Sequence, residues 1–237
     1  TPLPAGTGVI RITKTLTVPS EITTPFQFQF TATCGAASFS SPVITMANNS
    51  DQTTDITGVP LNTNCSVTEQ LPAAPTNYHW ATISPQATTV TATATPALIT
   101  FDNVRTRGLG TLTINTTLTI PATVTDPITL QFTATCDAPT AGTTHTVSQT
   151  FTGSGTQSTD IADLPAGANC EVTTQLPAAP ANHTWQTELI APVTKTIPDA
   201  GVANVDVSNA LRAIPVASPA AVPALGPLAL LGLSSLL

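Results

Sequence analysis

The side chains of this sequence with the clearest chemistry are its four cysteines. They form two pairs at matching places in the two halves of the chain, Cys34 with Cys65 and Cys136 with Cys170. This arrangement predicts one disulfide in each half and implies an oxidising compartment. The alternative is four buried free thiols. Zinc is disfavoured because the sequence has neither a C-x-x-C motif nor histidines paired at metal-ligand spacing, and we predict no metal and no cofactor.

No other group of side chains forms a pattern typical of catalysis. The histidines His79, His145 and His183 lack metal-ligand spacing, and we expect them on the surface. Asp55 and Asp160 each lie in a repeated Thr-Asp-Ile, where turn formation is favoured over a calcium site. The sequence contains no G-x-S-x-G motif, phosphate loop or close carboxylate pair. We therefore predict that the protein is not an enzyme.

The two halves of the sequence are copies of one unit. Each contains the hexapeptide Q-L-P-A-A-P between a cysteine and a tryptophan, and the second copy follows the first by 105 positions. The block Q-F-T-A-T-C also occurs twice, 102 positions apart. In a chain of 237 residues, this period indicates two tandem domains, each large enough to bury its own core.

The composition favours strands. Charged residues make up 8% of the chain, against roughly a quarter in an average soluble domain, so the surface must consist largely of Thr, Ser, Asn and Gln. Abundant β-branched residues and 22 prolines favour strands and turns over helices. A net charge of -7 with six Lys and Arg leaves no basic face for phosphates, which argues against nucleic acid and anionic membranes as partners.

Apolar and polar residues alternate along several segments. The alternation over 9–18 and 26–34 predicts two strands, and the second places three phenylalanines on one face. Shorter strand signals occupy 43–47, 53–59, 66–71, 78–83, 88–93, 98–104, 110–114, 128–132 and 202–207. This spacing predicts an all-β fold in which each half is a sandwich of two antiparallel sheets.

We divide the chain into an N-terminal lead (1–7), a first sandwich (8–107), a second sandwich (108–214), and a Pro/Ala-rich linker with an apolar tail (215–237). Only Arg107-Gly-Leu-Gly110 separates the sandwiches, which predicts a stiff rod. The sequence starts with Thr rather than Met, which is consistent with a removed export signal. We expect an extracellular or cell-surface protein exported through the Sec pathway.

Three short motifs in the first half and one in the second point to a family. They are Thr-Lys-Thr on the first strand, Val-Thr-Glu before the Pro/aromatic segment, a last strand ending at Asn103, and Leu-Pro-x-Gly-x-Asn-Cys over 164–170. Residues 8–214 thereby resemble Ig-like Cna-B-type repeats of bacterial surface proteins and pilins, and cysteine-containing repeats found in tandem on secreted bacterial proteins. The resemblance implies two tandem Ig-like β-sandwich domains, followed here by a hydrophobic C-terminal tail.

The resemblance also implies a covalent cross-link. In many Cna-B-like domains a lysine on the first strand forms an isopeptide bond with an asparagine on the last, assisted by a buried carboxylic acid. The matching residues here are Lys14, Asn103 and Glu69. An apolar core would lower the lysine pKa and yield a nucleophilic amine, while the carboxyl group would donate a proton to the amide.

The second repeat departs from this pattern. It has Thr116 and Thr174 at the matching positions and retains only Asn209, so it cannot form the bond. The alternative for the first repeat is that Lys14 is a solvated strand residue and Glu69 an edge charge.

The sequence after residue 214 carries no charge and becomes almost wholly apolar from residue 224. It resembles the C-terminal sorting segments of Gram-negative bacteria, but it lacks their basic cluster and is shorter than the roughly 20 residues needed to span a bilayer. We expect this tail to pack against another subunit. The residues expected to make that contact are Leu225, Leu228, Leu230, Leu231, Leu233, Leu236 and Leu237.

Duplication, disulfides, low charge and the apolar tail favour a non-enzymatic structural protein, the subunit of a bacterial filament or appendage that binds copies of itself through its tail or a terminal strand. The alternative is a surface adhesin or carbohydrate-binding module that uses exposed Trp80 and Trp185 to stack on sugar rings, with a glycan or the cell envelope as partner. Core packing of both tryptophans is favoured over this alternative.

Overall fold

The computed structural model describes residues 6–47, 49–85, 87–138, 142–187 and 190–215, and these ranges contain strands but no helix. The all-β prediction is therefore confirmed. The first domain contains β1 (Thr7–Thr17), β2 (Phe26–Cys34), β3 (Ala37–Ser40), β4 (Ile44–Met46), β5 (Ser50–Pro60), β6 (Asn64–Gln70), β7 (Tyr78–Ser84), β8 (Ala87–Thr91) and β9 (Ala97–Arg107). The second contains β10 (Leu109–Thr119), β11 (Ile128–Cys136), β12 (Thr143–Phe151), β13 (Gly155–Pro165), β14 (Asn169–Gln175), β15 (His183–Trp185), β16 (Val193–Thr196) and β17 (Val202–Ala213).

Each domain is built from two sheets. In the first domain one sheet has the order β5-β1-β9-β7 and the other β3-β2-β6-β8, with β4 also pairing with β2. The second domain repeats this arrangement as β13-β10-β17-β15 and β12-β11-β14-β16. Both domains are therefore β-sandwiches of one design, as the duplication predicts.

The prediction of purely antiparallel sheets is wrong at one place in each domain. The first and last strands, β1 with β9 and β10 with β17, run parallel. Alternation of apolar and polar residues shows which side chains face the core, but it is the same for a strand read in either direction. Strand direction therefore could not be read from the sequence pattern.

Each domain encloses its own hydrophobic core, and each core contains a disulfide. The inward faces of β1 and β2 supply Ile10, Ile12, Leu16, Phe28 and Phe30, and those of β10 and β11 supply Leu112, Ile114, Leu118, Leu130 and Phe132. Both predicted disulfides, Cys34–Cys65 and Cys136–Cys170, are present, and the described residues include no free cysteine.

Removing one disulfide tests whether the two cores are independent. Replacing both Cys136 and Cys170 with serine removes a disulfide between residues that are 34 positions apart in the sequence. The chain-entropy relation then gives a loss of roughly 3 to 4 kcal/mol in unfolding free energy. We expect the urea midpoint of the second domain to fall while that of the first stays in place. Domain-specific hydrogen exchange in urea measures both, and equal falls in both domains would contradict independent cores.

The two domains contact each other where β9 leads into β10. Arg107 Nε donates a hydrogen bond to the Ala166 carbonyl at 2.9 Å, and the Ala166 amide donates to the Gly108 carbonyl at 2.9 Å. His79 Nε2 lies 2.8 Å from a carboxylate oxygen of Asp199. These contacts restrict bending at the junction. Limited bending is also what the short linker predicts.

Candidate functional site

Three strands bring together a lysine, a glutamate and an asparagine inside the first domain. Lys14 lies on β1, Glu69 on β6 and Asn103 on β9, and we refer to them as the Lys–Glu–Asn cluster. In the parallel pair β1/β9, Lys14 is opposite Phe101 while Asn103 is opposite Leu16. Asn103 is therefore the diagonal neighbour of Lys14 on the core face, within reach of a long side chain, and Glu69 joins them from the facing sheet.

The carboxylate of Glu69 bridges the other two side chains. Lys14 Nζ lies 3.1 Å from Glu69 Oε1 as an ion pair, without the angle required of a hydrogen bond, and both side chains are fully buried. Asn103 Nδ2 donates a hydrogen bond to Glu69 Oε2 at 2.8 Å. The amine also donates to the carbonyls of Thr15 at 3.1 Å and Phe101 at 3.3 Å. One carboxylate thus contacts both the amine and the amide.

The surroundings of Lys14 shift its pKa downward. Burial lowers the pKa of Lys14, and the nearby carboxylate of Glu69 offsets this only in part. The Phe28 ring centroid lies 4.9 Å from Nζ. Asn103 Oδ1 is buried and has no hydrogen-bond partner among the residues that the structure describes. The cluster therefore combines an amine of lowered pKa with an amide oxygen that accepts no hydrogen bond from the described residues, and Lys14 and Glu69 are not the solvated strand residue and edge charge of the alternative.

The second domain has a different arrangement at the same positions. Thr116 is fully buried where the first domain has lysine, and Thr174 is half-buried. Asn209 Oδ1 accepts hydrogen bonds from the amides of Ala210 at 2.8 Å and Thr187 at 3.2 Å, and its Nδ2 donates to the Thr187 carbonyl at 2.9 Å. Asn209 thus connects β17 to the chain that follows β15, which explains an asparagine here without any cross-link.

The two tryptophans hold the repeated Q-L-P-A-A-P segment against each sandwich. Trp80 Nε1 donates to the Pro72 carbonyl at 3.1 Å, and Trp185 Nε1 donates to the Pro177 carbonyl at 2.8 Å. Trp185 is only 8% exposed, so the idea of an exposed indole for sugar stacking is wrong there. Trp80 is half-buried, and the guanidinium carbon of Arg105 lies 3.7 Å from its ring centroid. Because this indole face is occupied, stacking on a sugar is disfavoured there as well.

Arg105 is a buried residue of this region that the sequence interpretation missed. It is 1% exposed and lies between Trp80 and Phe26, whose ring centroid is 4.4 Å from Cζ. Its Nη2 donates a long hydrogen bond of 3.5 Å to the Ala73 carbonyl, while Nε and Nη1 have no hydrogen-bond partner among the described groups. Burial lowers the pKa of Arg105, but a guanidinium stays protonated in proteins. Alternation could have predicted the burial of Arg105, because residues 101, 103 and 105 share the core face of β9.

The two repeated aspartates do not form turns, and this prediction is wrong. Asp55 lies within β5 and accepts two hydrogen bonds of 2.8 Å from Arg11 on β1, which lower the pKa of its carboxyl group. Asp160 lies within β13 and accepts a hydrogen bond from Thr113 Oγ1 at 2.7 Å. The reason is that Thr-Asp-Ile continues the alternation of its strand, with the aspartate facing outward.

Among the described residues, no group of three or more His, Cys, Asp or Glu side chains could hold a metal ion. Within the same ranges, no helix has the length and apolar character required to cross a membrane. The predicted contact residues of the tail, Leu225 to Leu237, and the resemblance to a Gram-negative sorting segment lie outside the described residues.

The fold and its disulfides define a class, that of tandem disulfide-bonded Ig-like β-sandwich repeats. Residues 10–106 and 112–212 each match a family described as a domain of unknown function (DUF5979). The chain belongs to this family and contains two copies of its domain.

Several solved structures match the chain at low sequence identity and low TM-score. The Bacillus anthracis TIE protein is 13% identical with a TM-score of 0.44, and the match covers 86% of this chain but only 34% of that chain. The major pilin of Streptococcus pyogenes is 12% identical with a TM-score of 0.36, covering 86% and 98%. The shaft pilin SpaA of Lactobacillus rhamnosus GG is 9% identical with a TM-score of 0.28, covering 87% and 99%. No curated protein matches the chain in sequence.

Proposed function

We propose that the protein is a non-enzymatic extracellular structural protein, the subunit of a bacterial cell-surface filament or appendage, whose first domain is closed by an isopeptide bond between Lys14 and Asn103. The observation that carries the proposal is the buried Lys–Glu–Asn cluster, which lies between the first and last strands of the domain. The two disulfides support export to an oxidising compartment, and we assign that export to the Sec pathway.

The reaction needs no group beyond the Lys–Glu–Asn cluster. The neutral amine of Lys14 attacks Cγ of Asn103, and the amide oxygen takes up negative charge. Glu69, in contact with both nitrogen atoms, accepts a proton from Nζ and delivers a proton to Nδ2. The bond from Cγ to Nδ2 breaks, ammonia leaves, and a new amide joins Nζ to Cγ.

Intact mass spectrometry tests this bond directly. The wild-type chain with both disulfides should weigh about 17 Da less than an otherwise identical chain without the bond, because one ammonia is lost. Proteolysis should yield a branched peptide that joins β1 to β9. The Lys14→Met variant removes the nucleophile and serves as the control. A wild-type mass explained by the sequence and two disulfides alone would contradict the bond.

Assembly requires a separate test. We propose that copies of the chain bind one another through the apolar tail, residues 215–237, or through a terminal strand. Electron microscopy of the purified full chain should show filaments, and a chain ending at Pro215 should not form them if the tail makes the contact. Uniform monomers of the full chain with an intact tail would contradict assembly and leave the bond unaffected.

A further inference from the structure

Arg105 is a buried cation without a carboxylate partner. Among the described residues it forms no ion pair, and its side chain is covered by the rings of Phe26 and Trp80. Burial of a charge without an ionic partner is unfavourable. Cation–π contacts with two rings offset part of this cost. The position therefore requires a reason beyond packing.

The second domain shows that packing alone can be satisfied without a charge. Arg105 is opposite Trp80 in the pair β7/β9, and Leu211 is opposite Trp185 in the matching pair β15/β17. Leu211 is 3% exposed, so it fills the same place in the same fold. The arginine occurs in the domain that has the Lys–Glu–Asn cluster, and leucine occurs in the domain that lacks its lysine and glutamate.

The arginine is the next residue after Asn103 on the core face of β9. Asn103 and Arg105 are two residues apart on β9 and face the same core, which sets their Cα atoms about 7 Å apart. Asn103 Oδ1 is a buried acceptor without a donor, while Nε and Nη1 of Arg105 are buried donors without an acceptor. The two sets of unsatisfied groups are complementary in charge.

We infer that Arg105 is a positioning residue for isopeptide formation, a fixed buried cation that stabilises negative charge on Asn103 Oδ1. This inference rests on the proposed bond. A preorganised charge in a water-excluded site acts most strongly where charge appears during the reaction.

The test follows bond formation during refolding of the full chain. Chain recovered unfolded, with a mass that shows no ammonia loss, is refolded in one oxidising buffer between about pH 6 and pH 9 and quenched in acid. Intact mass spectrometry then gives the fraction that has lost ammonia at each time. We expect Arg105→Leu and Arg105→Met to react roughly 10- to 100-fold more slowly than the wild type at neutral pH. Arg105→Lys, which keeps the charge, should retain much of the rate.

The variants separate the possible outcomes. Far-UV circular dichroism establishes that each variant folds, as the leucine of the second domain indicates that it can. Equal rates in the folded neutral variants and the wild type would overturn the inference. Failure of all three variants to fold would also overturn it, because the role of Arg105 would then be structural. If the wild type itself loses no ammonia, the proposed bond fails rather than the role of Arg105 alone.

Discussion

The Glu69→Gln variant is expected to keep its ammonia and to weigh about 17 Da more than the wild type after correction for the substitution. The amide cannot accept the proton that Lys14 must lose, and it leaves the lysine without its ionic partner inside the core. Breaking a buried ion pair in this way costs about 3 to 5 kcal/mol in unfolding free energy. Intact mass and denaturant unfolding of the first domain measure the two effects.

The double variant Lys14→Met with Glu69→Gln is the control that separates the bond from the buried charge. It forms no bond and buries neither the cation nor the carboxylate of the pair, so its first domain should be more stable than that of Glu69→Gln alone. The folded-state pKa of Lys14 is lowered by burial, so the unfolded chain binds more protons between this lowered pKa and the unfolded lysine pKa of about 10.4. Within that window the stability of Glu69→Gln should therefore rise with pH relative to the double variant. Ammonia loss in Glu69→Gln at the wild-type rate would contradict the role of Glu69.

The double substitution Thr116→Lys with Thr174→Glu should create a second cross-link, in the second domain. Thr116, Thr174 and Asn209 hold the same register positions as the three residues of the Lys–Glu–Asn cluster. Asn209 must release its hydrogen bonds to Thr187, at a cost of about 1 kcal/mol for each bond. We expect a further loss of about 17 Da and a branched peptide that joins β10 to β17.

The single substitution Thr116→Lys is the matched control for this gain of function. It supplies the amine without the carboxyl group, so it should lose no ammonia and should destabilise the second domain through an unpaired buried charge. Ammonia loss in the single variant would show that the carboxyl group is dispensable. No loss in a folded double variant would show that matching register is insufficient for the reaction.

The sequence predicted the parts of the fold that depend on local pattern. Strict alternation identified β1 and β2, and the duplicated cysteines identified both disulfides. It did not identify β3 and β12, whose side chains are mostly exposed or half-buried and therefore lack a clear apolar face. The parallel pairing of β1 with β9 depends on how the chain returns across the sandwich, and no local pattern records that path.

The candidate site was predicted in part, from a family resemblance rather than from local sequence pattern. Lys14, Glu69 and Asn103 came from a resemblance. Alternation places Lys14 on the core face with Ile12 and Leu16, but charged residues are seldom buried, so residue type argued against that position. The structure places all three in the core. Arg105 was missed for the same reason: a charged residue near the end of a strand is usually solvated. The geometry that matters at these positions is tertiary, because the rings that cover Arg105 come from β2 and β7.

The parallel first and last strands determine how each domain responds when its two ends are pulled apart. Force enters at the start of β1 and leaves at the end of β9, so the whole ladder between Ile10 and Thr17 is loaded in shear and its hydrogen bonds resist together rather than opening one by one. The second domain has the same geometry along β10 and β17. With a covalent link across β1 and β9 alone, extension under tension would be confined to the second domain, which would serve as the extensible half of the chain.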